Sequence, residues 1–317
     1  MDFSVIIPSR NRPDMLRVAL QSVVSQSHDS IEVVVVNDGS DGDNEAAYAQ
    51  IAKDFSPEVR FLTLESTKNG HGQSYAINRG VEAARGEFVC FLDDDDWWID
   101  AEHLSRAAHA LNQQTADIYY SNQVAYLDER QVEGPIWIEG LENITKSAPV
   151  DGVYKVSIKE LMDCSGFAHL NTSIVRRNMY LDMGGMDEGI RYECDWDFFL
   201  RAVDHSTGVL FYPGNTSHHN APDPSKTLNM STAVNMLQKL LYRSYVLDKA
   251  ILFSRSDDIV NKARQHKTYT LQKITQCLVK DKDYNRACFY AHQATTSYWD
   301  IKWQIYTLFI SLRSMWH

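Results

Sequence analysis

The run Asp93-Asp94-Asp95-Asp96 carries the most concentrated chemistry in the chain. Four neighbouring carboxylates repel one another, so bringing them together is costly unless a cation or solvent compensates. They follow the apolar stretch Phe88–Leu92 and precede Trp97-Trp98, which argues against a freely solvated tail. Hard divalent ions such as Mg2+ take oxygen ligands from one or two carboxylates and complete their shell with phosphates. The run therefore points to a metal–phosphate site rather than to an acidic loop with no metal.

Four further groups can do chemistry. Asp38 lies in VVVVNDGS, residues 33–40. Asp-Gly is a turn signal, so spacing alone leaves two readings: a plain turn, or a carboxylate accepting the N–H of a nucleobase. Asn69-Gly70-His71-Gly72 leads into a helix, where glycines let backbone amides approach an anion. The third glycine of a dinucleotide fingerprint is missing there, and no GxxxxGK[ST] loop occurs. Asp195 and Asp197 stand in ECDWDFFLR, residues 193–201. For Asp195 alone, a helix cap is the plainer reading. His218-His219 offers a metal ligand, although most histidines in such a loop are not ligands.

The elements that must position these groups alternate. Phe3–Ile7, Ile31–Val36, Val59–Leu64 and Glu87–Leu92 read as strands. Helical patterns follow from Pro13, over 43–53 and over 73–85. Such alternation predicts a parallel sheet with helices on its faces. Ligands of open α/β sheets bind beyond the carboxyl ends of the strands. Every strand delivers a polar or acidic loop to that rim: PSRNR, NDGSD, KNGHG and DDDD. Weaker signals place strands near 116–120 and 171–175 and a helix from about Asp195. From about 226 the pattern is helical, with a hairpin over 280–298. We expect a catalytic domain over 1–220, divided near 112 into nucleotide and acceptor halves, and a helical region over 221–317.

A formal charge of −11 over 317 residues excludes a general nucleic-acid binder. Charge is uneven: residues 261–317 hold nine Lys and Arg against three Asp, a local +6, which leaves −17 for the rest. The five scattered cysteines form no CxxC pair, as expected of reduced thiols in a cytoplasmic protein. No leader-like segment and no run of 18 apolar residues occurs, so neither a signal peptide nor a membrane span is expected.

Taken together, VIIPSRNRPDMLRVALQSVVSQS, IEVVVVNDGSDG, NGHGQSYAINRGVEAARGEFVCFLDDDDWW and GGMDEGIRYECDWDFFLRA resemble glycosyltransferase family 2 in their order and spacing. They span about residues 3–203. The resemblance implies the GT-A fold, a mixed, mostly parallel sheet flanked by helices, here with a C-terminal helical extension. It implies an inverting transfer of sugar from a nucleotide-diphosphate sugar, UDP-sugar favoured, to an acceptor hydroxyl. The setting would be bacterial surface polysaccharide or glycoconjugate synthesis. Pro8, Arg10 and Asn11 would lie along the nucleotide and Asp38 would bind the base. Asn69 and Gly72 would approach the donor. Asp93 and Asp95 would be the DxD pair on ribose and metal-bound diphosphate. Asp94 would join them on the donor and Asp96 would extend the motif. Asp95 would hold Mg2+ or Mn2+, with His218 or His219 as a further ligand, and Asp195 would be the general base. Two departures stand out. Ile77 replaces a usual arginine, so that contact is either lost or moved to Arg79, and Cys194 replaces a usual glutamate.

The acceptor, a saccharide or lipid-linked saccharide, would meet Trp137, Phe167, His169 and Asn171, although Trp137 and Phe167 also read as core. In the tail, Ile301, Ile305, Leu308, Phe309, Leu312 and Trp316 fall at helical spacing, with Trp303, Tyr306 and Ile310 as a second strip. A core helix is the plainer reading. The sharper one is peripheral contact with the inner face of the plasma membrane. Two rivals are a catalytically inactive nucleotide-sugar-binding protein and a sugar nucleotidyltransferase. The second would need a Gly-rich basic loop where PSRNRPD stands.

Overall fold

The computed structural model describes residues 1–56, 59–132, 137–223, 234–297 and 300–315. The chain forms two compact units, residues 1–223 and 224–317.

In the first unit the strands are β1 (Phe3–Ser9), β2 (Ile31–Asn37), β3 (Val59–Thr63), β4 (Phe88–Phe91) and β5 (Trp97–Trp98). They continue as β6 (Ile118–Leu127), β7 (Arg130–Gln131), β8 (Tyr154–Val156), β9 (Ser173–Arg176) and β10 (Val209–Asn220). The sheet runs β3-β2-β1-β4-β9-β6-β10-β5, with β7 on β6 and β8 on β10. The β3-β2-β1-β4 half is parallel throughout. Its central strands are apolar on both faces, as helix-covered parallel strands must be. Val5, Ile6, Ile7 and Val34–Val36 are fully buried.

The second half departs from the alternating pattern. Strand β9 enters antiparallel between β4 and β6, and β10 then runs parallel to β6. The longer ladders are parallel, so the sheet is mixed and mostly parallel. Helices α1 (Pro13–Val24), α2 (Gly42–Asp54), α3 (Gln73–Ala83) and α4 (His103–Gln113) follow the first strands. Pro13 opens α1, where its missing N–H is not needed. The remaining helices are α5 (Leu141–Ile144), α6 (Ile158–Asp163), α7 (Arg177–Asp182) and α8 (Cys194–His205).

The second unit contains α9 (Met236–Phe253), α10 (Asp257–Lys280), α11 (Tyr284–Ser297) and α12 (Ile301–Ser314). Its core gathers Leu240, Leu271, Ile274, Leu278, Ala287, Ala291, Ala294, Trp303 and Ile310. Of the apolar residues expected on the last helix, Trp303 and Ile310 are buried, while Ile301, Ile305, Leu308, Phe309 and Leu312 are exposed. Trp316 and residues 226–233 lie outside the described residues. No helix among the described residues is long and apolar enough to cross a membrane.

Candidate active site

The acidic run leaves the carboxyl end of β4, and four distant segments reach it. Arg12, just before α1, donates from Nη1 to Asp94 Oδ1 at 3.1 Å and Asp95 Oδ2 at 2.9 Å. Gln73, at the start of α3, donates from Nε2 to Asp93 Oδ1 at 2.6 Å. Asn171 accepts the Asp93 backbone N–H at 2.9 Å and donates through Nδ2 to Asp96. Asn220, at the end of β10, donates its backbone N–H to Asp96 Oδ1 at 2.7 Å and its side-chain amide to the Asp95 carbonyl.

These donors do not neutralise the run. Oxygens of Asp93, Asp95 and Asp96 all lie within 4.8 Å of one another. Burial pushes the Asp93 carboxyl well above the usual carboxylate range, and the charges of Asp96, Asp95, Asp195 and Asp94 push it further. Asp94 is raised to about 6 by burial, with Arg12 pulling the other way. Asp95 is raised by burial and by Asp96, against Arg12 and His219. Three hard oxygen donors this close together suit a divalent cation. The donor set therefore fits Mg2+ or Mn2+.

Adjacent residues on a strand point to opposite faces, and the two histidines differ accordingly. His219 Nδ1 lies 2.7 Å from Asp96 Oδ2. Burial opposes its protonation, but the bond to Asp96 and the charges of Asp96, Asp95 and Asp195 outweigh it, so its pKa rises. His218 stacks between Trp97 at 3.8 Å and Tyr126 at 4.6 Å. Of the two candidates, His219 is the one facing the run.

Asp195 sits in the first turn of α8, one residue past the helix start. The N-cap position belongs to Glu193, a left-handed residue at φ 67°. Asp195 Oδ2 is 3.6 Å from His169 Nε2 and the carboxyl is about a quarter exposed. Its charge acts on both Asp93 and His219. His169 Nδ1 accepts the Asn171 N–H at 3.3 Å, which leaves Nε2 as the N–H turned toward Asp195. Burial lowers the His169 pKa, against the pull of Asp195. Asp197 differs in kind: it is buried and pairs with Arg201 at 2.8 Å.

The Asp38 side shows a different economy. Its carboxylate accepts the N–H groups of His71 and Gly72 at 2.9 Å, with His71 Nδ1 at 2.8 Å. Gly70, at φ +68°, must be glycine: a Cβ there would stand 2.6 Å from Asp38 Oδ2 and 2.8 Å from Arg10 Cδ. The Gly72 N–H, expected to approach the donor, donates here to Asp38. Arg10 donates to the carbonyls of Thr67 and Lys68, and Asn11 exchanges hydrogen bonds with Asp41. Pro8 lies in β1 opposite Val36, and Asn69 is exposed beside Gly70.

Two other expected residues have partners within the chain. Arg79 lies on the side of α3 away from Gln73. About 120° around α3 from Gln73, it pairs with Glu82 at 2.6 Å and approaches Glu188 at 3.7 Å. Asn171, read as an acceptor contact, is fully buried with both amide atoms engaged on the acidic loop. Trp137 is buried edge-on to His169 and His219, and Phe167 stacks on Trp196. Sequence reasoning missed Arg12 as the counter-ion of the run. A second arginine in PSRNR was the available signal.

The family model described as glycosyl transferase family 2 matches residues 4–176. The chain belongs to that family. It is 28% identical over 206 residues to the amylovoran biosynthesis glycosyltransferase AmsB of Erwinia amylovora, covering 64% of each chain. The chain thus spans less than two thirds of AmsB, and smaller shares of several other curated relatives. Among solved structures it is similar to S. aureus TarS 1–349 in complex with UDP-GlcNAc. That likeness has TM-score 0.68 and 19% identity, over 94% of this chain and 81% of TarS 1–349. It is also similar to the mannosyltransferase PcManGT of Pyrobaculum calidifontis in complex with GDP-Man and Mn2+. There the TM-score is 0.60 and the identity 14%, over 98% of this chain and 84% of the other. These likenesses establish the GT-A fold.

Proposed function

We propose that the chain is an inverting, metal-dependent hexosyltransferase that moves a sugar from a nucleotide-diphosphate donor to an acceptor hydroxyl. The observation that carries this is the convergence of Asp93, Asp95 and Asp96 with Asp195, whose charge acts on Asp93. Residues 1–112 would hold the nucleotide, with Asp38, Arg10 and Asn11 forming its rim. Residues 113–220 would face the acceptor. UDP is the favoured nucleotide because the TarS structure holds UDP-GlcNAc. Bacterial polysaccharide or glycoconjugate synthesis is the favoured setting, following AmsB. The acceptor would be a saccharide or a lipid-linked saccharide.

Asp95, with Asp93 and Asp96, would hold Mg2+ or Mn2+, and His219 would adjoin that set. When bound, the ion offsets the negative charge of the departing diphosphate. Asp195 accepts the proton of the acceptor hydroxyl as that oxygen bonds to the anomeric carbon. The bond from that carbon to the diphosphate oxygen breaks, and the nucleoside diphosphate leaves with the electron pair. One displacement inverts the anomeric configuration. The direct test is a panel of UDP-, GDP- and TDP-sugars with Mn2+ or Mg2+, read as nucleoside diphosphate release. Metal-dependent release from one donor supports the reading. Donor binding by calorimetry, without release in the presence of acceptor, favours the inactive binding module instead.

A further inference from the structure

The last helix presents two apolar faces with different fates. Trp303 and Ile310 are buried in the helical core, and Trp303 Nε1 donates to the Ala291 carbonyl at 3.1 Å. On the opposite face, Ile301, Ile305, Leu308, Leu312 and Met315 recur at steps of four and three, which places them in one stripe. All five are more than half exposed, from 52% at Leu312 to 78% at Met315. Phe309, at the edge of the stripe, is 48% exposed, and the Arg313 guanidinium lies 5.4 Å over its ring. Lys302 falls on that same edge. The other edge meets α11, where His292 Nε2 is 3.1 Å from Ser311 Oγ. One turn earlier on α11, Phe289 is 59% exposed. Six large apolar side chains on one short helix exceed the scattered exposure normal for a soluble surface.

Charge selects the occupant. Residues 224–317 hold 14 Lys and Arg against six Asp and no Glu, a formal +8. Residues 301–315 contain no carboxylate at all. The 4-3-4-3 spacing also suits a helix pair. A second copy, however, would set Lys302 and Arg313 against the same cations, with no acid on the helix to pair them. An anionic lipid surface supplies both missing parts: an apolar phase for the stripe and phosphates for the basic flank. We infer that α12 is an interfacial helix that docks this chain on an anionic bilayer. The stripe enters the acyl boundary, and Lys302 and Arg313 lie at the level of the headgroups.

Flotation of the full chain with vesicles tests this. The probes are phosphatidylcholine alone and phosphatidylcholine mixed with phosphatidylglycerol. Wild type should float with the anionic vesicles, and less as salt rises. Lys302→Glu with Arg313→Glu should lower the partition coefficient by about tenfold or more, since each basic residue near an anionic surface counts. Ile305→Ser with Leu308→Ser should lower it comparably even at low salt, with an unchanged far-UV circular dichroism spectrum. Val18→Ser, at an exposed apolar site in the first unit, should leave it unchanged. The inference is overturned if wild type ignores anionic vesicles or if the serine pair floats like wild type. Concentration-dependent self-association that the serine pair abolishes, in a protein that does not float, would also overturn it by assigning the stripe to a second copy.

Discussion

Two loops beyond the strands that flank β1 each present aspartate, and they handle its charge in different ways. Asp38, after β2, has its carboxylate matched by three N–H groups from His71 and Gly72. Asp93, Asp95 and Asp96, after β4, face one another within 4.8 Å, so their charges add, although Asp96 itself accepts three N–H groups, from Asn171, Asn220 and His219. The first loop works as a latch that sets the start of α3, and Asp38 also stands on the rim proposed for the nucleotide. The second gathers more carboxylates than Arg12 offsets and suits a further cation. An aspartate behind an apolar strand is therefore not a metal-binding residue by type alone, and the like charges beside it separate the two settings.

The two loops should differ most in their response to metal. Asp95→Asn, or chelation of the wild type with EDTA, should lower nucleoside diphosphate release by about 10³-fold or more, the scale of several kcal/mol of charge stabilisation. Adding Mn2+ back should restore the chelated wild type but not Asp95→Asn. At the latch the readout is stability. Asp38→Asn places an amide where two backbone N–H groups need an acceptor, and should destabilise the fold by about 1–3 kcal/mol in urea. The same change at Asp93 should act in the opposite direction. Asp93→Asn removes one like charge from a crowded set and should stabilise the metal-free protein by about 1 kcal/mol. It should also remove the rise in melting temperature that saturating Mn2+ gives the wild type.

The smallest effect is the pH dependence of metal-free stability. Asp94 is held at about 6, against an ordinary 3.8. The folded state binds this proton more tightly than the unfolded chain does. Its contribution is therefore fully present below about pH 4 and lost as pH rises through about 6. Asp94→Asn should remove this component, at most about 1.4 kcal/mol per pH unit between those limits. An unchanged slope in the variant would show that the run is better solvated than its burial implies.

Much of this site is written in short-range pattern. The apolar strands, the tetrad behind β4 and the helix that carries Asp195 are all local signals, and each falls where its period predicts. What escaped reading is set over long range. Arg12, not Arg10, reaches the acidic run because Asn11 takes a left-handed turn at φ 58° between them, and no residue type announces that. His218 and His219 are alike in sequence. The register of β10 shifts twice between Phe211 and Ser217, and only that fixes which histidine meets Asp96. Asn171 becomes a brace because β9 enters antiparallel beside β4, a pairing that alternation alone does not foresee. Arg79 meets Glu82 and Glu188 through its position around α3, which residue type does not announce.

The claim that joins these parts is that Asp195 takes a proton beside a diphosphate held at the acidic run. Asp195→Asn tests it, with donor affinity measured by calorimetry and turnover by nucleoside diphosphate release, both in Mn2+. Donor binding should stay within about twofold of wild type, and turnover should fall by about 10²–10⁴-fold. Turnover at the wild-type rate would contradict it.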